Sequence, residues 1–180
     1  MASPHSTHAT SPQAPPQGTP LVARPMTDAD IAAVVEMERD ACPHPLHAWT
    51  PENYRSSLRA GYWAVVRCEP RTQRIVAVCV AMDGVDEVHL LNIAVARDCQ
   101  GRGLARELIH VLVDRCRQRR ATALWLEVRP SNERARTLYR SEGFDDIGVR
   151  RNYYPAATGR EDALVMRREV ALPEASDALD

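Results

Sequence analysis

The chain has 180 residues, of which 44% are hydrophobic and 26% are charged, and its formal net charge at pH 7 is -1. This composition fits one packed domain with tails and excludes a chain that is disordered throughout. The near-neutral charge gives no electrostatic reason to expect a nucleic-acid or membrane partner. Because all 23 basic residues are arginines, a catalytic or phosphate-binding lysine is also excluded.

Both ends of the chain have the composition of flexible tails. Residues 1–20 are rich in Pro, Ser, Thr, Ala and Gln and carry no acidic residue or arginine, which predicts disorder. Residues 170–180 are acidic and predict a second flexible tail, so residues 21–169 are the expected domain. The start of the chain lacks a signal-peptide pattern, and no apolar run reaches the ~18 residues that span a bilayer. A cytoplasmic location is therefore expected.

The cysteines and histidines do not have the spacing of a metal site. The five cysteines, at positions 42, 68, 79, 99 and 116, form no C-x-x-C pair and are expected to be free, partly buried thiols. His44 and His47 are three residues apart in a proline-rich loop, where surface exposure is a simpler interpretation than metal ligation. No metal is expected.

The first half of the domain predicts a strand, two helices and a set of antiparallel strands. A strand at residues 21–24 is followed by Thr27 and Asp28, a typical helix start, and by an apolar helical pattern. Prolines in the 42–50 stretch end this helix, and Thr50 with Pro51 predicts the cap and first turn of a second helix up to residue 58. Strands at residues 62–68, 75–82 and 85–95 then form a meander.

The second half alternates helices and strands. Apolar residues on one face predict a helix over 104–116, followed by a strand at 123–128. The fourth helix of the domain begins after Asn132 and ends at Gly143, and strands at 147–153 and 163–168 complete the domain. This order predicts an α/β fold with a mixed sheet and helices on both faces, not a series of βαβ repeats.

A glycine-containing loop, Gln100-Gly101-Arg102-Gly103-Leu104-Ala105, lies between the third meander strand and the long helix. Glycines let the backbone turn tightly and approach a ligand, and the free N–H groups at a helix start favour a phosphate. A P-loop is excluded because it requires a lysine. A dinucleotide-binding fingerprint fits poorly, because Ala105 and Arg106 follow the second glycine and several strands precede the loop.

The loop resembles the acetyl-CoA signature of GNAT acetyltransferases, and the resemblance extends to further motifs in the same order. These motifs are Leu91-Asn92-Ile93-Ala94-Val95, Leu124-Trp125-Leu126-Glu127-Val128-Arg129, Ser131-Asn132, Leu138-Tyr139, Gly143-Phe144, Arg150-Arg151-Asn152-Tyr153-Tyr154-Pro155 and Gly159-Arg160-Glu161-Asp162-Ala163. Together they resemble the RimI type, the ribosomal-protein-alanine N-acetyltransferases, over residues 21–168. The resemblance implies a mostly antiparallel, twisted sheet of about seven strands with about four helices.

The resemblance also implies which residues bind acetyl-CoA. The backbone of the glycine loop would hold the pyrophosphate, and the strand before it would pair with the pantetheine arm like an added strand. Asn132 matches a CoA-contacting position, although a helix cap is the alternative interpretation. The expected set is Ile93, Ala94, Val95, Gln100, Gly101, Arg102, Gly103, Leu104, Ala105, Arg106 and Asn132.

Two residues match the catalytic pair of the RimI type, in which an amine attacks the thioester directly. Glu127 would be the general base, acting directly or through a water, and the alternative is a strand carboxylate paired with an arginine. Tyr139 would protonate the leaving thiolate, and the alternative is a core aromatic residue. Trp49, Tyr54, Tyr153 and Tyr154 would flank a peptide groove, or simply pack. Glu161 and Asp162 would hold the cationic terminus of a substrate, and an exposed turn is the alternative interpretation.

The expected acceptor is the N-terminal alanine of a small-subunit ribosomal protein. An α-amine has a pKa of about 7.7–8.0 against about 10.4 for lysine, so a single carboxylate base suits it better. Other protein N-termini, lysine side chains and small amines remain alternatives, as does a non-catalytic acetyl-CoA sensor. The loop at residues 40–49 departs from the family pattern by its extra Pro and His residues, which leaves the peptide preference open.

Overall fold

The structure, a computed structural model, describes residues 20–42 and 44–173. Within these ranges the chain forms seven strands and four α-helices, in the order that the sequence predicts. The elements are β1 (Val22–Pro25), α1 (Ile31–Ala41), α2 (Pro51–Arg59), β2 (Trp63–Cys68), β3 (Ile75–Asp83), β4 (Glu87–Val95), α3 (Leu104–Arg119), β5 (Ala123–Val128), α4 (Glu133–Ser141), β6 (Asp145–Pro155) and β7 (Arg160–Glu169). Short 3-10 helices precede α1 (Asp28–Asp30), α2 (Pro45–His47) and α3 (Arg97–Cys99).

The strands form one sheet in the order β1-β2-β3-β4-β5-β7-β6. Every neighbouring pair is antiparallel except β4 and β5, which are parallel because α3 connects them across one face. The predicted mixed, mostly antiparallel sheet is therefore confirmed, and so is the meander of β2, β3 and β4.

Helices cover both faces of the sheet. On one face α1 and α2 bury Val34 and Tyr54 against β2 and β3. On the other face α3 and α4 bury Leu112 and Tyr139 with Phe144 against β3, β4 and β5. Strand β3 is buried on both sides, which explains why its sequence is a continuous apolar run without alternation.

The start of α2 follows the predicted cap. Thr50 Oγ1 accepts a hydrogen bond from the Asn53 N–H at 3.3 Å, and Asn53 Oδ1 accepts one from the Thr50 N–H at 2.9 Å. This reciprocal pair satisfies backbone donors at the helix start and fixes the direction in which the chain enters α2. It thereby positions Trp49, which precedes the cap.

Strands β4 and β5 separate halfway along β4. Their parallel register runs from Glu87 opposite Ala123 to Leu90 opposite Leu126, and no further pair joins them in the described part of the chain. Strand β4 continues along β3 to Val95 after a one-residue bulge at Leu91, while β5 continues along β7. A bulge bends its strand, so the sheet opens into a gap directly before the glycine loop.

Several predictions concern residues near the chain ends. Residues 1–19 and 174–180 lie outside the described residues, so the division into tail, domain and tail stays a prediction. Val170 is buried, and its N–H donates to Thr122 O at 2.9 Å. All five cysteines are free thiols, of which Cys42 is partly buried and the other four are buried more completely than expected. Among the described residues no helix is long and apolar enough to cross a membrane.

Candidate active site

The glycine loop gives a ligand direct access to the backbone. Gly101 and Gly103 have φ angles of 77° and 85°, a left-handed conformation that L side chains rarely adopt. A Cβ at either position would have no neighbouring atom within 4 Å, so the space beside this backbone is open. The N–H groups in the first turn of α3 have no intrahelical acceptors and lie at the positive end of the helix dipole. The loop can therefore bind a phosphate group.

Side chains of the loop are tied to the protein. Gln100 Nε2 donates to Val95 O at 3.1 Å, and Gln100 Oε1 accepts from Arg134 Nη1 of α4. Arg102 Nη2 donates to Asp98 O at 3.0 Å. These contacts hold the loop in shape. Any phosphate contact by Gln100 would therefore come from its backbone, while its side chain fixes the end of β4.

The first turn of α3 is anchored to α4 through Glu142, whose side chain is nearly buried. Arg106 Nε donates to Glu142 Oε1 at 2.6 Å, and His110 Nε2 lies 2.8 Å from Glu142 Oε2. Burial alone would raise the pKa of Glu142, but the hydrogen bonds from Arg106 and His110 hold it below its usual range. The guanidinium of Arg106 thus links α3 to the end of α4.

The gap beside β4 leads into this cradle. Ile93, Ala94 and Val95 are half-buried and continue along β3 by one edge, while the edge toward β5 is open. An open strand edge presents N–H and C=O groups to an extended ligand. The geometry therefore matches the predicted pantetheine site, although the assignment of these residues stays a prediction.

Asn132 begins α4 as its cap. Its Oδ1 accepts a hydrogen bond from the Ala135 N–H at 3.2 Å, so the helix cap that the sequence left as an alternative interpretation is present. The cap uses only the side-chain oxygen. Because an asparagine amide also carries two N–H donors, capping and a contact with a ligand are compatible.

Glu127 lies on β5 one residue beyond the last parallel pair with β4. Its side chain is 24% exposed, and Arg150 Nε lies 2.8 Å from Glu127 Oε1. The Tyr153 hydroxyl also donates to this carboxylate, and this bond together with partial burial raises the pKa of Tyr153. The arginine pair that the sequence left as an alternative therefore exists, and Glu127 lies where the pairing of β4 with β5 ends.

Tyr139 lies on the inner face of α4 and is 6% exposed. Its ring is 5.7 Å from that of Phe144. Burial raises its pKa above the usual tyrosine value, with the Cys79 thiol and the Tyr154 hydroxyl nearby adding to the shift. The hydroxyl is therefore protonated at neutral pH, as a proton donor must be, while the ring is also part of the core.

A two-residue bulge in β6 directs side chains toward Glu127. Arg150 pairs with Ala163 and Tyr154 with Glu161, so three residues of β6 lie opposite Asp162 alone. Asn152 at the centre has a φ of 51°, and its N–H donates to Asp162 Oδ1 at 2.8 Å. Bulges of this kind re-orient side chains next to functional sites.

The predicted groove residues lie on two elements, the connection between α1 and α2 and the strand β6. Trp49 is half-buried, and its ring is 5.2 Å from that of Tyr54 in an edge-to-face arrangement. Tyr153 and Tyr154 pack edge-to-face at 4.9 Å on β6. Tyr54, which was also expected to flank the groove, is instead fully buried on α2.

A buried polar network under the groove was missed from the sequence. Glu38 of α1 is 2% exposed, and it accepts hydrogen bonds from the Tyr54 hydroxyl at 2.7 Å and from Asn92 Nδ2 at 3.1 Å. Burial raises the pKa of Glu38. Glu38 shares one helical face with Ile31, Val34 and the rest of the apolar stripe, so a carboxylate within that stripe was an available signal. The network anchors β4 just after its bulge.

Arg129 and Glu161 form a second cluster, of which the sequence singled out only Glu161, as a candidate contact for the substrate. Arg129 follows β5 and is almost completely buried, which the sequence pattern around it does not indicate. Its guanidinium lies 4.3 Å from the centre of the Tyr154 ring and 3.2 Å from Glu161 Oε2. Both residues therefore adjoin Tyr154, one of the predicted groove residues.

No metal centre was found among the described residues, since no three His, Cys, Asp or Glu side chains lie close enough to hold an ion. The rings of His44 and His47 lie 5.4 Å apart.

A family model described as "Acetyltransferase (GNAT) family" matches residues 31–144, which is more than half of the chain. The chain belongs to this family. It is 46% identical over 147 residues to the [ribosomal protein bS18]-alanine N-acetyltransferase of Salmonella typhimurium, a match covering 82% of this chain and 96% of that protein. The same enzyme of Escherichia coli is 36% identical over 143 residues, with 79% and 93% covered.

Solved structures agree with the sequence comparisons. The crystal structure of the ribosomal-protein-S18-alanine N-acetyltransferase from Escherichia coli superimposes with a TM-score of 0.74 at 32% identity, covering 87% of this chain and 97% of that chain. The predicted membership of the GNAT family and of its RimI type is thus confirmed, and the chain is an N-acetyltransferase.

Proposed function

We propose that this enzyme transfers the acetyl group of acetyl-CoA to the N-terminal α-amine of a small-subunit ribosomal protein that begins with alanine. Two relatives that this chain matches over more than nine tenths of their length are named for this reaction. The structural observation that carries the proposal is the separation of β4 from β5 beyond Leu90, directly before the glycine loop. It supports a site for an extended thioester beside Glu127.

The donor half of the site is supported by backbone geometry. The open edge of β4 would bind the pantetheine arm through Ile93, Ala94 and Val95, and the loop from Gly101 to Gly103 would bind the pyrophosphate. Gln100 and Asn132 would complete this half by fixing the end of β4 and the start of α4. Acetyl-CoA supplies the activated acetyl group, and members of the GNAT family use it.

The reaction needs a neutral amine and a protonated leaving group. Glu127 would remove a proton from the α-ammonium, directly or through a water, and the amine nitrogen would then form a bond to the thioester carbonyl carbon. A β4 N–H would stabilise the negative charge on the carbonyl oxygen. As the C–S bond breaks, the nitrogen would release its second proton to water and the Tyr139 hydroxyl would donate its own proton to the leaving sulfur. The hydroxyl would then be reprotonated from solvent.

The ion pair between Arg150 and Glu127 is compatible with this chemistry. The Arg150 guanidinium lies beside the carboxylate that would receive the ammonium, and two cations repel each other in a partly desolvated site. This repulsion favours the neutral form of the acceptor amine. An α-amine reaches that form at a cost roughly 3.4 kcal/mol lower than a lysine at neutral pH, since their pKa values differ by about 2.5 units. The site therefore supports an N-terminal acceptor.

A panel of three short peptides tests the proposal. One peptide has a free N-terminal alanine and no lysine, the second is the same peptide with its terminus blocked, and the third is blocked but contains one lysine. We expect the full chain to consume acetyl-CoA only with the first peptide. Turnover only on the blocked lysine peptide would contradict the proposal, and stabilisation by acetyl-CoA without turnover on any amine would identify a sensor.

A further inference from the structure

The guanidinium of Arg129 is buried beside the candidate active site. Arg129 follows β5 two residues after Glu127, and its side chain is only 8% exposed. A charge that is removed from water to this extent is costly unless hydrogen bonds and an opposite charge compensate for it. The partners of this guanidinium therefore indicate what the buried charge holds together.

Those partners belong to two separate parts of the chain, the connection between α1 and α2 and the adjoining ends of β6 and β7. Arg129 Nη2 donates to Leu46 O at 3.1 Å, in the connection between α1 and α2. Arg129 Nη1 donates to Pro155 O at 2.9 Å, at the end of β6, and lies 3.2 Å from Glu161 Oε2 at the start of β7. The planar fork of an arginine can bind both sides at once, which a single ammonium cannot.

Each contact lies next to a predicted groove residue. Leu46 is three residues before Trp49 in the same connection, and Pro155 directly follows Tyr154. The Arg129 guanidinium also lies over the Tyr154 ring at 4.3 Å, a distance at which a cation and an aromatic face attract each other. One side chain thus links both walls of the expected peptide groove.

Glu161 extends this link toward the donor half of the site. Its Oε1 accepts the Ser131 N–H at 2.8 Å, and its Oε2 accepts the Ser131 hydroxyl at 3.1 Å. Burial alone would raise the pKa of Glu161, but the bonds from Ser131 and Arg129 hold it below the usual range. The carboxylate is therefore ionised at neutral pH, and it joins Arg129 to the residue before Asn132.

We propose that Arg129 is a positioning residue that pre-forms the acceptor groove and thereby sets the affinity for the acceptor peptide. This inference rests on the proposed function. Arg129 contacts backbone carbonyls, Glu161 and Tyr154, and among the described residues it makes no hydrogen bond to Glu127 or Tyr139. Because Arg129 already joins the two walls of the groove, peptide binding does not have to include the entropic cost of ordering them. The side chain therefore acts on peptide binding and not on the chemical step.

The test compares kcat and KM for both substrates in Arg129→Gln, Arg129→Lys and Glu161→Gln. We expect Arg129→Gln to raise KM for the alanine peptide about tenfold, which corresponds to about 1.4 kcal/mol, the scale of a hydrogen bond to a charged group. Arg129→Lys and Glu161→Gln should raise it less, because part of the link remains. KM for acetyl-CoA and kcat should stay within about twofold of the wild type.

A surface arginine gives the matched control. Arg117 of α3 pairs with Asp114 at 2.8 Å and is 46% exposed, so Arg117→Gln removes a guanidinium without touching the groove. It should leave all three constants unchanged. Hydrogen exchange in residues 44–49 and 155–161 should be faster in Arg129→Gln than in Arg117→Gln.

The outcomes separate this inference from the function on which it rests. An active wild type whose peptide KM does not change in the Arg129 and Glu161 variants overturns the inference alone. Equal changes in both KM values and in kcat also overturn it, because they indicate a general structural defect. If Arg129→Gln fails to fold, Arg129→Lys and Glu161→Gln decide by the same criteria. A wild type that acetylates no N-terminal peptide overturns both proposals.

Discussion

The carboxylate of Glu127 has two neighbours that restrict its orientation. Arg150 and the Tyr153 hydroxyl both bind it, and both come from β6 next to the bulge at Asn152. A carboxylate has about four lone-pair sites, so these two contacts leave room for it to accept a proton from an amine. The ion pair and the proposed base are therefore compatible descriptions of the same side chain.

Replacement of Glu127 by glutamine tests its role as base. The amide keeps the size of the side chain but cannot take a proton, and general bases typically contribute 10²–10⁴-fold to the rate. We expect kcat to fall about a hundredfold with KM for acetyl-CoA unchanged. Glu169→Gln is the control, because Glu169 also pairs with an arginine at a strand end but is exposed and distant from the gap. Equal kcat values in the two variants would refute the assignment.

Tyr139 is tested by removing only its hydroxyl. In Tyr139→Phe the ring can still pack against Phe144, so the melting temperature should change by no more than about 3 °C. The leaving thiolate loses its proton donor, and kcat should fall about tenfold or more. Steady-state kinetics and thermal unfolding on the same sample measure both effects. Full activity in this variant would leave Tyr139 as a core residue only.

The proposed binding of acetyl-CoA by the backbone of the glycine loop can be tested separately from the effect of backbone strain. Gly103→Ala places a side chain at a φ of 85°, which costs about 1–2 kcal/mol, and it adds a methyl group to the face expected to approach a phosphate. We expect lower stability and a clearly weaker affinity for acetyl-CoA, measured by calorimetry. Gly61→Ala, at a φ of 74° between α2 and β2, should lose similar stability and keep the affinity. Equal affinity in both variants would contradict the cradle.

The entry into α1 is stabilised by a carboxylate whose contribution depends on pH. Arg24 and Thr27 bind Asp30, and mainly the Arg24 bond lowers the Asp30 pKa to about 2. Because the folded pKa lies below the unfolded value of about 3.9, the bond stabilises the fold above that value, by about 2 kcal/mol. This stabilisation is lost as the pH falls from about 4 to 2.

Denaturant unfolding at several pH values can measure this contribution. Asp30→Asn should be less stable than the wild type at pH 7, and the difference should shrink as the pH falls below 4. The exposed neighbour Asp28 provides the control, since Asp28→Asn should match the wild type at both ends of the range. A difference between wild type and Asp30→Asn that does not depend on pH would show that the Arg24 bond has another role.

At the scale of the molecule, local patterns predicted the elements but not the distances between them. Apolar periodicity and the caps at Thr50 and Gly143 gave the order of strands and helices, because these signals are read within a few residues. The opening between β4 and β5 depends on a bulge at Leu91, and the apolar sequence there does not distinguish a bulge from a regular strand.

For the candidate site, too, the sequence predicted individual residues but not the contacts between distant parts of the chain. Glu127 and Tyr139 were found through the family resemblance, whereas the link from Arg129 to Leu46 joins residues 83 positions apart. No local pattern reports such a contact, since it exists only after the sheet and its connections have assembled. The sequence predicted that an arginine could pair with Glu127 but not that it would be Arg150. The bulge beside Arg150 arises from the pairing of β6 with β7, which no local pattern reports.

One measurement tests the central claim directly. A single peptide that carries both a free N-terminal alanine and an internal lysine is incubated with acetyl-CoA and the full chain, and the acetyl group is located by fragment mass spectrometry. The account predicts acetylation of the N-terminal amine and none of the lysine in the wild type, with the product strongly reduced in Glu127→Gln. Acetylation of the lysine with a free N-terminus remaining would contradict it.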